Sequence, residues 1–500
     1  MPSKIFFFKQ YHKSPTFYLL LITTIISFFF FLWGVNSWKF AFAGDEWPFY
    51  IFAKKLASLD IYPDIFSFSG VYSAHSVLSS FYQSLFLKIL GPSNFAWRLS
   101  NIILIFPITF FFYRWVKDCF SKEIAILSTI ILQSSFYLAN FFKIGYDNPQ
   151  GFTLFIICLY LSNRFGQQVT KRLAARLGLA FGISFYLYMG AVFPLFVWPY
   201  FLPILKRTFL KNRTLIAISI VIAVYFIVLF PFFTDLKSLL PVVHALGFPD
   251  SFHLKQTVIK DFLLFYKNND YFYNHFVTGP YLDVISRIFC LIGTAVVLFR
   301  SRQKVYLYFI LSYITTTIFI GSTSSDWFSP TTRGIFLLPY GFVFAGIGLN
   351  FIVKKIKNES LSFILCWYVI FTIFAVNVYQ SQIGVFSNTI YHKSGYTGMS
   401  FLINAMMQAK VVHTHVLIVL SPYQSINNYL WQFPAMLGAY NLDEVTYKII
   451  TPNNFQCPVI NTDVVLFKQD IFAEQKVADM RCFPKSTVHY SVLSPSITVY

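Results

Sequence analysis

Long apolar runs alternate with short polar segments through the first 380 residues of the chain. Runs such as 17–35, 99–116 and 215–233 are each about as long as the roughly 20 residues that a helix needs to cross the hydrocarbon core of a bilayer. The first run is too long for a cleaved signal peptide, so we interpret it as a retained helix. The pattern predicts eleven membrane-spanning helices, near 16–34, 97–115, 123–141, 150–163, 176–189, 190–205, 214–232, 282–300, 305–321, 333–351 and 361–380.

Composition excludes a soluble protein. Of the 500 residues, 56% are hydrophobic and only 12% are charged, and the mean hydropathy is +0.59. A soluble domain of this composition could not cover its surface with polar groups. The predicted fold class is therefore a polytopic α-helical membrane protein.

The net charge of +19 would indicate nucleic-acid binding in a soluble protein, but its distribution favours another explanation. The lysines and arginines cluster in the short segments between apolar runs, where the positive-inside rule places them in the cytoplasm. No nucleic-acid partner is predicted. The clusters are Lys4 to Lys13, Arg164 to Arg176, Lys206 to Arg213, Arg300 to Lys304 and Lys354 to Lys357.

With the N-terminus inside, four loops lie on the external face: 35–96, 142–150, 233–281 and 321–333. The first loop contains an amphipathic stretch at 76–91, predicted to be a helix in the membrane interface. Residues 1–380 form the predicted transmembrane domain. The tail, 381–500, contains three strand-like segments between turn-forming residues, "HVLIVLSP", "TYKII" and "TDVVLFK", and is predicted to be a small external α/β domain.

Metal and disulfide chemistry receive little support from the pattern. His413 and His415 would share one face of a strand, but no third ligand lies nearby, so we interpret them as surface residues. Cys457 and Cys482 share the tail, where an oxidising compartment would permit a bridge. Their spacing does not decide whether one forms.

Charged and polar residues gather at the external ends of the predicted helices. Such groups near a bilayer are costly unless they are paired or placed at a watery site, so a polar cavity is predicted there. Carboxylates can accept a proton while cations hold a phosphate. The residues are Asp45, Glu46, His75, Arg98, Lys143, Asp147, Asp326 and Arg333.

Structural roles compete with catalytic ones at these positions. Asp45 could cap a helix in the interface, and Glu46 could pair with the dipole of its first turn. Asp147 could cap the helix that begins at Asn148-Pro149. Arg98 and Arg333 could simply anchor helices at the membrane boundary.

Four segments in this order resemble the C-type membrane glycosyltransferases, in particular the protein O-mannosyltransferases and the aminoarabinose-type lipid A transferases. The first is "GDEWPFY" after the first helix, and the second is "HSVLSSFYQSLFLKILGPSNFAWRLSNIIL" (75–104), in which Ser76-Val77 replace the family's Pro-Pro pair. The third is "KIGYDNPQGFTLF", which carries Asp147, and the fourth is "TTRGIFLLPYGFVFAGIGL" (331–349).

The resemblance implies an inverting transfer of sugar from a polyprenyl-phosphate donor to an acceptor hydroxyl on a lipid, polysaccharide or protein. Asp45 would be the general base, with Asp147 assisting and Glu46 beside it. Cations and a histidine would bind the donor's lipid phosphate, namely Arg333, Arg98, Lys143 and His75. The family's zinc-holding Glu and His residues have no equivalent here, so no cofactor is predicted and a divalent metal is not supported.

The expected location is a bacterial plasma membrane, with the site on the external, periplasmic side. A polymerase or ligase of surface polysaccharide is the alternative within the transferases, with its key residues expected in later loops. A transporter or lipid flippase is the alternative from another class. It would show internal symmetry and charges deeper in the helices, whereas the charges here lie at helix ends.

Overall fold

The structure of the 500-residue chain is a computed structural model. It describes residues 15–35, 46–71, 75–204, 212–234, 254–266, 268–269, 277, 279–323 and 331–381, and short parts of the tail at 415–419, 438–439, 446–450, 463–467, 488–490 and 497–499.

The described part of the chain is mainly helical. Three short 3-10 turns, Gly190–Val192, Trp198–Phe201 and Ile335–Leu337, interrupt the α-helices. The helices are α1 (Pro15–Leu32), α2 (Glu46–Ala57), α3 (Val77–Leu90), α4 (Asn94–Ile102), α5 (Ile105–Cys119), α6 (Lys122–Ser134), α7 (Phe136–Phe141), α8 (Asn148–Gln167), α9 (Lys171–Phe185), α10 (Phe193–Val197), α11 (Asn212–Thr234), α12 (Leu254–Phe262), α13 (Val284–Phe299), α14 (Lys304–Ser322), α15 (Thr331–Gly334), α16 (Leu338–Val353) and α17 (Glu359–Tyr379).

Several of these helices make the chain an integral membrane protein. Every segment predicted to span the membrane contains helical residues, but fewer segments meet the length and hydropathy that a full crossing needs. The count of eleven crossings therefore stays a prediction. Within the described residues, six segments qualify: Pro15–Leu32, Asn94–Cys119, Asn212–Phe233, Lys304–Ser322, Thr332–Val353 and Glu359–Tyr379.

The predicted helix at 123–141 is broken in the structure. Its break lies at Ser135, whose hydroxyl accepts a hydrogen bond from the Leu138 N–H and so caps α7. The N–H of Phe136 donates to the Asn377 side chain at 2.9 Å. A polar side chain from a distant helix thus satisfies the backbone group that the break releases.

The predicted break near Met189-Gly190 is confirmed, but the helix predicted after it is not continuous. Met189 has a φ of 59°, and a Cβ on Gly190 would overlap the backbone of Ser184. The chain then continues as short helical turns because Pro194 and Pro199 each sit at the start of one.

Glycines bring the central helices into close contact. A Cβ on Gly293 of α13 would overlap the Phe344 carbonyl of α16, and a Cβ on Gly348 would overlap the Phe289 carbonyl. A Cβ on Gly346 would in turn overlap Ser128 of α6. Small residues of this kind let membrane helices approach closely and gain van der Waals contact.

Buried polar side chains link helices inside the bundle. The Gln133 amide donates to Thr24 at 2.8 Å and to Thr109 at 3.2 Å, which joins α6 to α1 and α5. The Asn377 amide donates to the Asp283 carboxylate at 2.9 Å, which joins α17 to the start of α13. Each contact satisfies a polar group that lipid could not.

Outside the bundle, the predicted interface helix is present as α3, which Ser76 caps through the Leu78 N–H. The loop 233–281 contains α12, a helix the sequence analysis did not predict, and α12 packs against α14 near Gly321. Residues of this loop also form the short antiparallel pair β1 (Asn268–Asn269) and β2 (Gly279–Pro280).

The tail contains a five-stranded sheet in the order β4-β3-β5-β7-β6. β3 runs parallel to β4 and β5, whereas β7 runs antiparallel to β5 and β6. The three predicted strands are confirmed as β3, β4 and β5. The α/β assignment stays a prediction, and His413, Cys457 and Cys482 lie outside the described residues. The strands are β3 (His415–Val419), β4 (Thr446–Ile450), β5 (Asp463–Phe467), β6 (Val488–Tyr490) and β7 (Ile497–Val499).

Candidate functional site

The structure describes six of the seven residues predicted to do chemistry or bind the donor, and five of them come together around one loop at the start of α8. Asp45, the predicted base, and Asp326 lie outside the described residues. The six described residues are Glu46, His75, Arg98, Lys143, Asp147 and Arg333.

Glu46 is a fully buried anchor at the first position of α2. One of its carboxylate oxygens accepts the Trp97 indole N–H at 2.8 Å and the Gly145 backbone N–H at 2.6 Å. The same oxygen lies 3.1 Å from the Arg98 guanidinium. Glu46 therefore ties α2 to α4 and to the loop before α8, which favours a positioning role over proton transfer.

Arg98 shares this buried position. Its side chain is 1% exposed, and its Nε donates to the Asn94 side chain at 3.1 Å. Removing one partner of a buried ion pair typically costs about 3–5 kcal/mol, because the remaining charge is left uncompensated. Through these contacts Arg98 supports the structure of the site. Its binding of the lipid phosphate stays a prediction.

The loop 143–147 is held from three sides. Besides the Glu46 contact, the Asn101 amide donates to the backbone carbonyls of Ile144 and Tyr146, at 3.0 and 2.9 Å. The Gln83 amide donates to the Gly145 carbonyl at 2.8 Å. Backbone groups of an irregular segment are thus satisfied by side chains of α3 and α4, which fixes the loop that leads into α8.

These supporting residues were not among those predicted from the sequence. Asn101 and Gln83 are amides within or beside apolar stretches, and such residues in membrane segments commonly mark an internal contact. That signal was present in the sequence. The role of Trp97 carried no such signal, because an aromatic residue in an apolar run is ordinary.

Asp147 stands where an aspartate would cap α8, but its side chain makes no capping hydrogen bond. The capping interpretation is therefore wrong for the side chain, although Asn148-Pro149 do open the helix as predicted. Asp147 is 3% exposed, and its Oδ2 lies 3.7 Å from Nδ1 of His75. The carboxylate is thus available to attract a protonated imidazole or a proton-bearing ligand.

His75 is the more accessible partner of this pair. Its side chain is 26% exposed, and its ring packs edge-on against Phe49 of α2 at 4.7 Å between centroids. Phe49 also contacts Tyr146, the residue before Asp147. The aromatic contacts hold the partly exposed imidazole beside the buried Asp147 carboxylate.

Lys143 is fully buried in the loop between α7 and α8. Its ammonium lies 3.5 Å from the Asn140 side-chain oxygen. Burial, together with the smaller effect of the Arg98 charge, lowers the pKa of Lys143 to about 7. Its charge therefore responds to small changes near neutral pH.

Arg333 reaches the same end of the bundle from α15. The Asn148 amide donates to the Thr332 carbonyl at 3.3 Å, so the residues next to Asp147 and Arg333 are in contact. Tyr188 also donates to the Thr332 hydroxyl, at 3.2 Å. Among the described residues, no hydrogen-bond partner satisfies the buried Nε of Arg333. A donor in this state is well placed for an anionic ligand.

Metal coordination finds no support in the part of the chain that the structure describes. No group of three or more His, Cys, Asp or Glu side chains there could hold an ion. The site offers instead a carboxylate–imidazole pair, a lysine of near-neutral pKa and an arginine, which suits proton transfer beside an anion.

The architecture around this site is the C-type membrane glycosyltransferase fold, and the resemblance predicted from the sequence is confirmed. The chain is similar to ArnT from Cupriavidus metallidurans bound to undecaprenyl phosphate, with a TM-score of 0.51, 12% identity and 97% and 98% of the two chains covered. It is similar to the Archaeoglobus fulgidus oligosaccharyltransferase in its apo form, with a TM-score of 0.53, 13% identity and 86% of this chain covered. This chain spans 64% of that enzyme's length.

A second structure of the archaeal enzyme, AglB, contains an inhibitory peptide and a dolichol-phosphate. The similarity there has a TM-score of 0.52 and 11% identity, and covers 85% of this chain and 64% of the other. By sequence, residues 74–232 match the family of dolichyl-phosphate-mannose-protein mannosyltransferases. That range includes His75, Arg98, Lys143 and Asp147. A comparison with curated proteins finds no match.

Proposed function

We propose that this protein is an inverting glycosyltransferase that moves a sugar from a polyprenyl-phosphate donor to an acceptor hydroxyl at the external face of the membrane. The observation that carries the proposal is the Asp147 carboxylate, which does not cap its helix and faces His75 beside the Glu46–Arg98 ion pair. The family match over 74–232 and the lipid phosphates bound by the two similar enzymes support the class of donor.

In the proposed reaction a carboxylate takes the proton from the acceptor hydroxyl as its oxygen attacks the anomeric carbon. The bond from that carbon to the phosphate oxygen breaks with inversion, and the polyprenyl phosphate leaves with the electron pair. We assign the proton transfer to Asp45, which precedes Glu46 in the chain. Glu46 is hydrogen-bonded to the loop that carries Asp147, and Asp147 would orient the acceptor or share the charge.

The leaving phosphate needs cations in a site that excludes water. Arg333 has a buried Nε without a hydrogen-bond partner among the described residues, and a guanidinium can grip two phosphate oxygens at once. Lys143 could add a charge when protonated. His75, which is partly exposed, would contact the donor or the acceptor.

The proposed function is tested by sugar transfer in proteoliposomes. The donor is radiolabelled polyprenyl-phosphate mannose, and the acceptors are membranes and extract of the source cells. Asp45→Asn should keep thermal stability in detergent and lose about 10²-fold or more of the transfer rate, because an amide cannot take the proton.

Glu46→Gln is the matched control, since it changes the neighbouring acid in the same way. It should instead lower thermal stability, because it removes the carboxylate charge that lies 3.1 Å from the buried Arg98 guanidinium. Full activity in Asp45→Asn would contradict the assignment of Asp45 as the general base. If the wild-type protein moved intact donor across the bilayer without releasing polyprenyl phosphate, it would be a transporter and not a transferase.

A further inference from the structure

A polar cavity lies at the opposite end of the helix bundle from the candidate site. It is formed where α5 turns into α6, where α13 ends and α14 begins, and where α16 ends. Arg333 and Lys354 lie at the two ends of the segment containing α16, about 30 Å apart at a rise of 1.5 Å per residue. The two sites are therefore physically separate.

The cavity has an apolar floor and a basic rim. Its volume is about 470 Å³, and buried side chains such as Ile124, Val296 and Tyr306 line the floor. The exposed cations Arg300, Lys354 and Lys355 line the rim together with the amides of Gln303 and Asn350. Among the described residues that line it, none is acidic.

Aromatic rings position two of these cations. The Arg300 guanidinium lies 6.0 Å from the centre of the Tyr306 ring and donates one N–H to its hydroxyl at 3.3 Å. The Lys355 ammonium lies 5.4 Å from the centre of the Phe351 ring. A guanidinium has five N–H donors, so Arg300 keeps a planar set of donors for a second partner.

One nearby carboxylate partly balances this charge. The pKa of Glu123, in the first turn of α6, is lowered chiefly by a hydrogen bond from Ser121 and further by Lys354. One acid beside three cations leaves the rim positive. Three like charges around one cavity at the end of membrane helices call for an anion as counter-charge.

We propose that this cavity binds the phosphate headgroup of an anionic membrane phospholipid. The rim supplies charge and amide donors for the phosphate, and the apolar floor suits the first carbons of the lipid. Basic pockets between membrane helices bind such headgroups in general. The site is independent of the proposed transfer reaction, and no residue of the candidate site takes part in it.

The test compares two triple variants of the full chain purified in mild detergent. Arg300→Gln, Lys354→Gln and Lys355→Gln together remove the rim. Lys171→Gln, Arg172→Gln and Arg176→Gln together remove the same charge from the start of α9, whose residues do not line this cavity. Native mass spectrometry counts retained phosphatidylglycerol, and a thermal-shift assay measures stabilisation by added phosphatidylglycerol, phosphatidylcholine or inorganic phosphate.

Wild type and the α9 variant should retain phosphatidylglycerol and gain thermal stability from it, whereas the rim variant should lose both responses. Equal retention in the two triple variants would overturn the proposal, as would equal loss. Stabilisation of wild type by inorganic phosphate to the same extent as by phosphatidylglycerol would assign the site to a soluble anion and overturn the lipid assignment.

Two further variants keep the test decisive. Asn350→Asp places a carboxylate in the rim without changing side-chain size, so it should weaken phosphatidylglycerol retention even if the triple variant folds poorly. Arg333→Gln, at the candidate donor site, should leave retention unchanged. Loss of retention in Arg333→Gln, with none in Asn350→Asp, would show that the bound lipid occupies the donor site and would contradict the proposal.

Discussion

At the scale of single residues, Asp147 is the side chain whose position most limits its possible roles. An aspartate before a helix ordinarily caps it, and loss of such a cap costs about 1 kcal/mol. Asp147 makes no such bond, so Asp147→Asn should leave thermal stability unchanged. It should reduce sugar transfer by about 10²-fold, because a misplaced acceptor reacts more slowly.

Thr170→Ala is a suitable control for this prediction, because Thr170 does cap α9 through the Leu173 N–H. It should lower stability modestly and leave the transfer rate intact. A drop in melting temperature for Asp147→Asn with normal transfer would reduce Asp147 to a structural residue.

Lys143 makes stability depend on pH. Burial lowers its pKa from 10.5 to about 7 in the folded protein, so the unfolded chain binds one more proton between these values. The free energy of unfolding therefore rises with pH across this window, by up to about 1.4 kcal/mol per pH unit, and the gain is absent below the folded pKa.

Lys143→Met lacks this titration. Thermal unfolding in detergent at about pH 6.5 and about pH 9 should show wild type gaining stability relative to Lys143→Met as pH rises. A constant difference between the two proteins would show that Lys143 keeps its proton throughout.

At the scale of elements, the loop between α7 and α8 determines where Asp147 lies. A Cβ on Gly145 would overlap the Trp97 ring and come within 2.7 Å of the Glu46 carboxylate. Gly145→Ala should therefore displace the loop, lower the melting temperature and reduce transfer activity together.

Gly91→Ala is the control that separates the steric overlap at Gly145 from the general cost of replacing a glycine. Gly91 ends α3 with a φ of 85° and has open space around it, so its alanine variant carries backbone strain alone. It should cost about 1 kcal/mol and keep activity. Equal behaviour of the two variants would show that the loop tolerates displacement.

At the scale of the whole molecule, the charge clusters predict the orientation in the membrane. Single cysteines at Thr170 and Arg302, both exposed, should react with a membrane-impermeant maleimide only from the cytoplasm. A cysteine at the exposed Tyr62 should react only from outside. The background is a chain whose own six cysteines are replaced by alanine. Labelling of all three from one side would invalidate the predicted topology.

Local patterns in the sequence were enough to predict much of this architecture. The helix α3 and the strands β3 to β5 follow from periodicity and turn residues close by in the chain. The break at Ser135 could not be foreseen, because the Phe136 N–H that it releases is satisfied by Asn377, 241 residues away. The support of the loop by Gln83 and Asn101 likewise arises only once distant segments pack.

The sequence predicted which residues group at the candidate site but not the role of each residue. Charges at helix ends indicated which residues converge. Contacts distinguish Glu46 and Arg98, which pair with each other, from Asp147 and Arg333. The Asp147 side chain makes no capping bond, and the buried Nε of Arg333 has no hydrogen-bond partner among the described residues. These contacts join segments that are distant in the chain, so sequence spacing could not assign the role of each residue.

The confinement of α16 has a mechanical consequence. Most side chains of Thr332–Val353 are buried, and its glycines leave no room toward α6 and α13. Such a helix cannot slide or rotate alone, so a displacement at one of its ends must carry its neighbours along as a rigid body. Motion during turnover is therefore expected in the outer elements, while α16 serves as the fixed axis against which they move.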